Sequence, residues 1–324
     1  MLDKNIIKIS SIWSHNIEES IIFHILKKIS KKNIQITSPN NADILFIGPY
    51  NHNTLLDKCL EKFNKINFVN NFFPNLKIKN FRKKFKPLKV YFSEEGYLGS
   101  YDFKCDFHIT PLFDIYNENH LRFPIWKDFI DWTDEGFSRS KYSLNGRRFG
   151  SLYDLNTLMK PQGSSFLKKE NKVSFITSHL NFPRDVFYNK LKEIIDVDGY
   201  GKKFNPTIKS HNSSDFYKFD IIKKYRFNLC PHNLLIPGYY DEKIPDAFTS
   251  KSIPITWCDN NVKEDFNPNC FINLVDFANK DIKLFRDQFE DELLLKKYSE
   301  EPLLNYKPNL DKEIDFCYKI LNFL

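Results

Sequence analysis

Between Tyr225 and Phe277 the chain changes its pattern three times, and the order of those changes leaves few folds open. Arg226-Phe-Asn-Leu-Cys230 is an apolar run of the length a buried strand needs. Pro231 to Gly238 is rich in Pro, Asn and Gly and reads as a loop. Asp241 stands as a helix N-cap, and Glu242, Lys243, Asp246, Ala247 and Phe248 follow at helical spacing. Ile253-Pro-Ile-Thr-Trp257 is a second strand-like run. Strand, loop, helix, strand is the order of a parallel βαβ unit. In such a unit the loop before the helix lies at the carboxyl edge of the sheet, where ligands bind. The helix N-terminus there presents backbone N–H groups that suit a phosphate.

The same residues carry a resemblance. Tyr239-Tyr240-Asp241-Glu242-Lys243-Ile244 is followed by Asp246-Ala247-Phe248, by Ile253-Pro254-Ile255-Thr256-Trp257, and by Asp265-Phe266-Asn267-Pro268-Asn269-Cys270-Phe271-Ile272. This succession resembles the signature of the α-1,3/1,4-fucosyltransferases, glycosyltransferase family 10. That signature runs Tyr-x-Thr-Glu-Lys-hydrophobic, then Pro-Ile-Tyr-Trp-Gly, then Phe-x-Pro-x-Ser-Phe-Ile. The chain departs from it at three places. Asp241 stands where the family has Thr, Cys258 where it has the Gly after Trp, and His232 where it has the Glu of Phe-Glu-Asn, although Asn233 remains.

Upstream, Ile6–Ile12 reads as a strand, Ile17–Lys31 as an amphipathic helix, and Ile34–Thr37 and Ile44–Ile47 as short strands. Leu55–Phe63 reads as a helix, Ile66–Phe72 as extended, and Ile78–Lys89 as a basic stretch, either a patch for an acidic partner or a solvated face. Lys89-Val-Tyr-Phe-Ser93 is a strand that ends in Glu94-Glu95-Gly96. Carboxylates there either sit in a ligand crevice or are solvated turn residues. The resembled family has its general base in this segment, and Glu95 occupies the matching position. Cys105–Ile109 and Leu121–Trp126 follow in the family's order, with Arg122 as a substrate contact or a structural ion pair.

Leu155–Lys172, with Pro161, Gln162, Gly163, Ser164 and Ser165, reads as a linker between an acceptor-side α/β domain, 1–160, and a nucleotide-sugar domain with terminal helices, 161–324. Lys172–Thr177 reads as a strand, Ser178–Pro183 as a loop and Arg184–Ile195 as a helix burying Val186, Phe187, Leu191 and Ile194. Phe182-Pro183-Arg184 resembles the family segment whose Arg neutralises the donor pyrophosphate, a task suited to a planar fork of donors. An Arg in the first turn of a helix opposes the helix dipole, so a purely superficial role is disfavoured. Val197–Gly201 resembles a family turn. Ser214–Lys224, Asn279–Tyr298 and Leu310–Phe323 read as helices.

Composition bounds the rest. The 324 residues are 41% hydrophobic and 27% charged, enough for two globular domains. A net charge of +7 suits an anionic ligand or membrane surface. No nucleic-acid motif accompanies that charge, so no nucleic-acid partner is expected. Six Cys show no paired spacing, which fits reduced thiols in a cytoplasm. Cys230 and His232 in one loop do not make a zinc site, and no Asp-x-Asp stands at a strand end. Met1–His15 lacks a signal-peptide core, and no run reaches the ~20 apolar residues of a membrane span. The expectation is the family's soluble bacterial type, cytoplasmic or peripheral on the inner face of the membrane.

The resemblance implies a GT-B fold, two Rossmann-like αβα domains facing a central cleft. It implies inverting transfer of fucose from GDP-fucose to a hydroxyl of a GlcNAc-containing glycan, lipopolysaccharide among the acceptors, with no cofactor and no obligatory metal. Glu95 is then the general base. Arg184 and Lys243 bind the pyrophosphate, Asn233 and Tyr239 contact the donor, and Glu242 binds ribose or sugar hydroxyls. On the residues alone, Lys243 and Glu242 also read as a surface pair, Tyr239 as core packing and Asn233 as a turn residue. Two other functions fit the same chain: a family member with another nucleotide sugar, through His232 and Cys258, or a non-catalytic nucleotide or sugar binder.

Overall fold

The computed structural model describes residues 5–12, 17–49, 87–95, 105–113, 117–139, 151–204, 218–277 and 280–324. The expected helix at 55–63, the extended segment at 66–72 and nearly all of the basic stretch at 78–89 lie outside them. The chain divides into two compact units, one of Met1–Thr110, Tyr116–Arg122 and Leu310–Leu324, the other of Pro111–Ile115 and Phe123–Asn309.

The first unit is built on β1 (Ile6–Ile12), β2 (Asn33–Ile36), β3 (Ile44–Ile47), β4 (Leu88–Phe92), β5 (Phe107–Thr110) and β6 (His120–Arg122). They form one sheet in the order β2-β1-β3-β4-β5-β6, parallel at every pairing. All of β3 and most of β4 are buried, as strands covered on both faces must be. Helix α1 (Ile21–Ile29) starts where the Ser20 hydroxyl accepts from the Ile22 N–H, and it buries Ile21, Ile22, Phe23, Ile25 and Leu26. The expected helix from Ile17 is thus a 3-10 turn, Ile17–Glu19, followed by a helix that Ser20 caps.

The last helix, Asp311–Asn322, packs on α1 in this first unit. Phe316 meets Phe107 of β5 edge to face at 5.6 Å, and Lys319 donates to the Glu118 carbonyl. A boundary at 160/161 therefore does not coincide with this division, and one terminal helix returns to the first sheet. Its apolar stripe of Phe316, Cys317 and Ile320 explains why: the stripe is buried here.

The second unit carries β7 (Glu170–Ile176), β8 (Val197–Tyr200), β9 (Tyr225–Leu229), β10 (Ile253–Thr256) and β11 (Ile272–Asn273), parallel in the order β11-β10-β9-β7-β8. The segment expected as a linker belongs to this unit, with a helical turn at Leu155–Leu158 and Phe166 fully buried in the core. Helix α2 (Arg184–Leu191) buries Phe187 and Leu191, α3 is Lys218–Ile222, α4 is Lys243–Thr249, and α5 is Glu292–Ser299. The helix expected over 279–298 is instead broken into a 3-10 turn at Ile282–Phe285, a turn at Asp287–Glu290 and α5. Asp291 interrupts it with an extended backbone, and its carboxylate caps Leu293 and Leu294. Val197–Tyr200 is a strand rather than a turn. Gly201 after it has φ +100°, and a Cβ there would meet the Thr177 carbonyl oxygen at 2.3 Å. Among the described residues no helix is long and apolar enough to cross a membrane.

Candidate functional site

In the second sheet β7 and β9 are neighbours, with β8 outside β7 and β10 beyond β9. The chain leaves β7 toward one side and returns from β9 toward the other, so their carboxyl ends form the switch point where open α/β sheets bind ligands. A recess lies there, lined by Phe175 and Ile176 of β7, Asn228 and Leu229 of β9, and the polar side chains of Arg184, Lys218, Lys243 and Asp246. Three cations from three different helices therefore converge on one strand junction.

Each is held differently. Arg184, at the first turn of α2, donates to the Asn233 side-chain oxygen and so ties the loop after β7 to the loop after β9. Among the described residues its partner is a neutral amide, and no carboxylate pairs with the guanidinium. Lys243 pairs with Asp241 through its ammonium, while its backbone N–H donates to Asp241 Oδ1 at 3.1 Å. Lys218 lies 3.1 Å from Asp246 Oδ2 and 3.4 Å from Glu242 Oε1. Asp246 is 1% exposed, and Tyr153 donates to its other oxygen at 2.5 Å and to the Glu242 carbonyl at 2.9 Å. Burial works to lower the pKa of both lysines. For Lys218 the carboxylates of Asp246 and Glu242 outweigh it, and for Lys243 those of Asp241 and Glu242 do, so both ammoniums are held above the ordinary lysine range.

This geometry changes three expectations. Lys243 and Glu242 are not a surface pair: Lys243 pairs with Asp241 and Glu242 with Lys218. The start of α4 is not an open cradle of backbone N–H groups. Asp241 occupies the Lys243 N–H, and Pro245 has none to give. Glu242, not Asp241, is the residue preceding the helix, with Asp241 bonding the first turn from one position further out. Charge at this recess comes from side chains.

The expected site residues fall into three groups. Arg184, Asn233, Glu242 and Lys243 come together around the recess through the contacts above. Tyr239 is 3% exposed and packs with Leu112 and Ile125, so its ring is mostly committed to the unit's interior. Glu95 belongs to the first unit, two residues beyond β4. There the Ser93 hydroxyl accepts from the Glu95 N–H at 3.2 Å and donates to the Glu95 carbonyl at 3.1 Å, fixing the backbone that carries a half-buried carboxylate. Lys218, Asp246 and Tyr153 were not among the expected residues. Lys218 and Asp246 are 28 positions apart and Tyr153 and Asp246 are 93 apart, so no local pattern connects them. Cys258 is buried, with its N–H and carbonyl both bonded by the Asn273 side chain.

Among the described residues no cluster of three or more His, Cys, Asp or Glu is placed to hold a metal ion. What the recess offers chemically is a set of cations whose geometry is already fixed, the kind of arrangement that suits an anion.

A solved structure of an alpha1,3-fucosyltransferase superposes with a TM-score of 0.62 at 24% identity, covering 98% of this chain and 88% of that one. A structure of alpha1,3-fucosyltransferase with GDP-fucose gives 0.60 at 22%, covering 97% and 90%. At that identity the likeness shows the fold, which is GT-B. Alpha-(1,3)-fucosyltransferase FucT of Helicobacter pylori is 32% identical over 178 residues, 51% of this chain, and the chain spans only 36% of that relative's length. Residues 166–288 match the family described as glycosyltransferase family 10 (fucosyltransferase) C-term, a span that contains all three cations of the recess.

Proposed function

We propose that the chain is an inverting glycosyltransferase that transfers fucose from GDP-fucose to a hydroxyl of a GlcNAc-containing glycan. The observation that carries this is the convergence of Arg184, Lys218 and Lys243 at the carboxyl edge of β7 and β9, inside the span that matches the fucosyltransferase family. In this reading Arg184 and Lys243 bind the diphosphate, and Lys218 adds a third cation beside them. Asn233, already bonded to Arg184, and Glu242, already bonded to Lys218, meet hydroxyl groups of the donor. Tyr239 packs beneath the loop that carries them. Glu95 accepts the proton of the acceptor hydroxyl as that oxygen attacks the anomeric carbon. The bond from that carbon to the phosphate oxygen breaks, and its electron pair leaves with GDP, whose charge the cations offset. Because the offset is supplied by side chains, turnover requires no metal.

A second reading keeps the diphosphate site and changes the sugar. It is favoured by His232, which heads the loop that carries Asn233 and stands where the resembled family has Glu. One experiment separates the two. Calorimetric titration with GDP, UDP and CDP, with and without EDTA, should show binding of GDP that EDTA leaves unchanged. Preference for UDP or CDP favours the other donor, and binding of none of them rejects both.

A further inference from the structure

We propose that His232 positions Lys243 for the diphosphate, acting through Asp241; the inference rests on the donor-site reading above. His232 is completely buried in the loop after β9. Its ring is flanked edge-on by Tyr239 and Tyr240, each 6.0 Å between centroids. The Asp241 N–H lies 3.3 Å from Nε2. A backbone N–H only donates, so Nε2 is the acceptor nitrogen and the ring proton sits on Nδ1. Nδ1 lies 3.3 Å from Thr256 Oγ1, which accepts a hydrogen bond from it and donates its own hydroxyl to the Cys230 carbonyl, also at 3.3 Å. The neutral ring with its proton on Nδ1 completes this chain of donors, and Nε2 also lies 3.4 Å from Asp241 Oδ1, so the ring meets both the backbone and the carboxylate of Asp241. Burial favours the same neutral form against the pull of the Asp241 carboxylate.

The consequence runs through Asp241, which is 3% exposed. With its backbone anchored to the imidazole, its carboxylate spans the turn into α4. One oxygen takes the Lys243 N–H, and the other takes the ammonium. Lys243 lines the recess. The imidazole therefore stands two contacts away from the ligand. It fixes where the ammonium is held without touching the recess itself.

The test uses the full chain and GDP. His232→Asn keeps a group near the Nδ1 position, for Thr256, but is too short to meet the Asp241 N–H. His232→Gln reaches the Nε2 position and can accept that N–H. The expectation is roughly tenfold weaker GDP binding for His232→Asn, with His232→Gln restoring most of it, the size of effect that loss of one fixed charge contact gives. In a Lys243→Met background the Asn and Gln variants should bind GDP alike. A loss that persists in that background, or equal affinities of the Asn and Gln variants with Lys243 present, overturns the positioning role. A wild-type chain that binds no GDP rejects the donor-site reading itself, which is a different outcome from wild-type binding with no difference among the variants.

Discussion

The sheets β1–β6 and β7–β11 are wound alike: in each the second strand lies outside the first and the third lies on the first strand's other side. Their carboxyl ends carry different side chains. Beyond β4 stand Glu94 and Glu95, turned by Ser93. Around the β7–β9 junction stand Arg184, Lys218 and Lys243. The same winding thus offers the same place for chemistry twice, and the residues that follow each strand decide what it is used for. A carboxylate in one unit suits removal of a proton, and cations in the other suit retention of a diphosphate.

The sharpest way to break this contrast is at Glu95. Glu95→Gln should lower turnover by about 10²–10⁴ with GDP affinity unchanged, the usual contribution of a general base. Steady-state kinetics and calorimetry on the same preparation check it. Loss of GDP affinity instead would mean that the first unit also holds the donor. A loss on Glu94→Gln with Glu95→Gln still active would move the base by one residue.

The second unit should respond the other way. Arg184→Ala should weaken GDP binding by about 10- to 100-fold, the range for losing a charge-assisted contact. Its effect should be larger than that of Lys243→Ala, because Lys243 already shares its charge with Asp241, while among the described residues the side chain of Arg184 bonds an amide. Equal or reversed effects would show that the Asp241 pairing orients Lys243 more than it neutralises it.

Tyr153→Phe probes support rather than contact. It removes the hydroxyl that donates to Asp246 and to the Glu242 carbonyl. Asp246 would keep Lys218 but lose a buried donor, and the variant should be destabilised by about 1–3 kcal/mol, read by denaturant unfolding. GDP binding should fall less than in Arg184→Ala. If it falls as far, Asp246 governs the recess more than the direct cations do.

Much of this was legible in the sequence, and the gaps have physical reasons. The strand-loop-helix-strand order from Tyr225 to Trp257 is visible because apolar runs, loop residues and helical spacing are local signals. Arg184, Asn233 and Lys243 were singled out through the family resemblance of the short motifs that carry them, and in the structure Arg184 bonds Asn233 while Arg184 and Lys243 line one recess. Lys218 was not, because it acquires its role only when α3 folds beside Asp246, and a five-residue helix has too little periodicity to place it. Tyr153 ends a polar stretch that reads as irregular, just before the segment that reads as a linker, although its hydroxyl is bound into the second unit. The last helix shows its apolar stripe in sequence, but a stripe does not say which sheet will bury it.

The smallest expected effect compares the two edges of the second sheet. At the carboxyl edge, Lys218 and Lys243 are held above the ordinary lysine range by adjacent carboxylates. On the amino-edge side Lys169 donates to the Ser250 carbonyl, and burial, helped by Lys251, lowers its pKa to about 8. The two kinds of lysine contribute to stability with opposite sign. A raised lysine gives stability that is fully present below its unfolded value, about 10.4, and is lost only as pH rises through its folded value. Lys169 has a depressed folded value, so the folded chain releases its proton near pH 8 while the unfolded chain keeps it. Its cost is full below about pH 8 and fades as pH rises toward about 10.4. GDP affinity should therefore stay flat between about pH 7 and 9, since neither recess lysine loses its charge there. Over the same interval thermal stability should rise slightly, and the rise should be smaller in Lys169→Met. A fall in GDP affinity across that interval would show that a recess lysine titrates in it, and that the carboxylates around Lys218 and Lys243 do not hold their protons as the geometry requires.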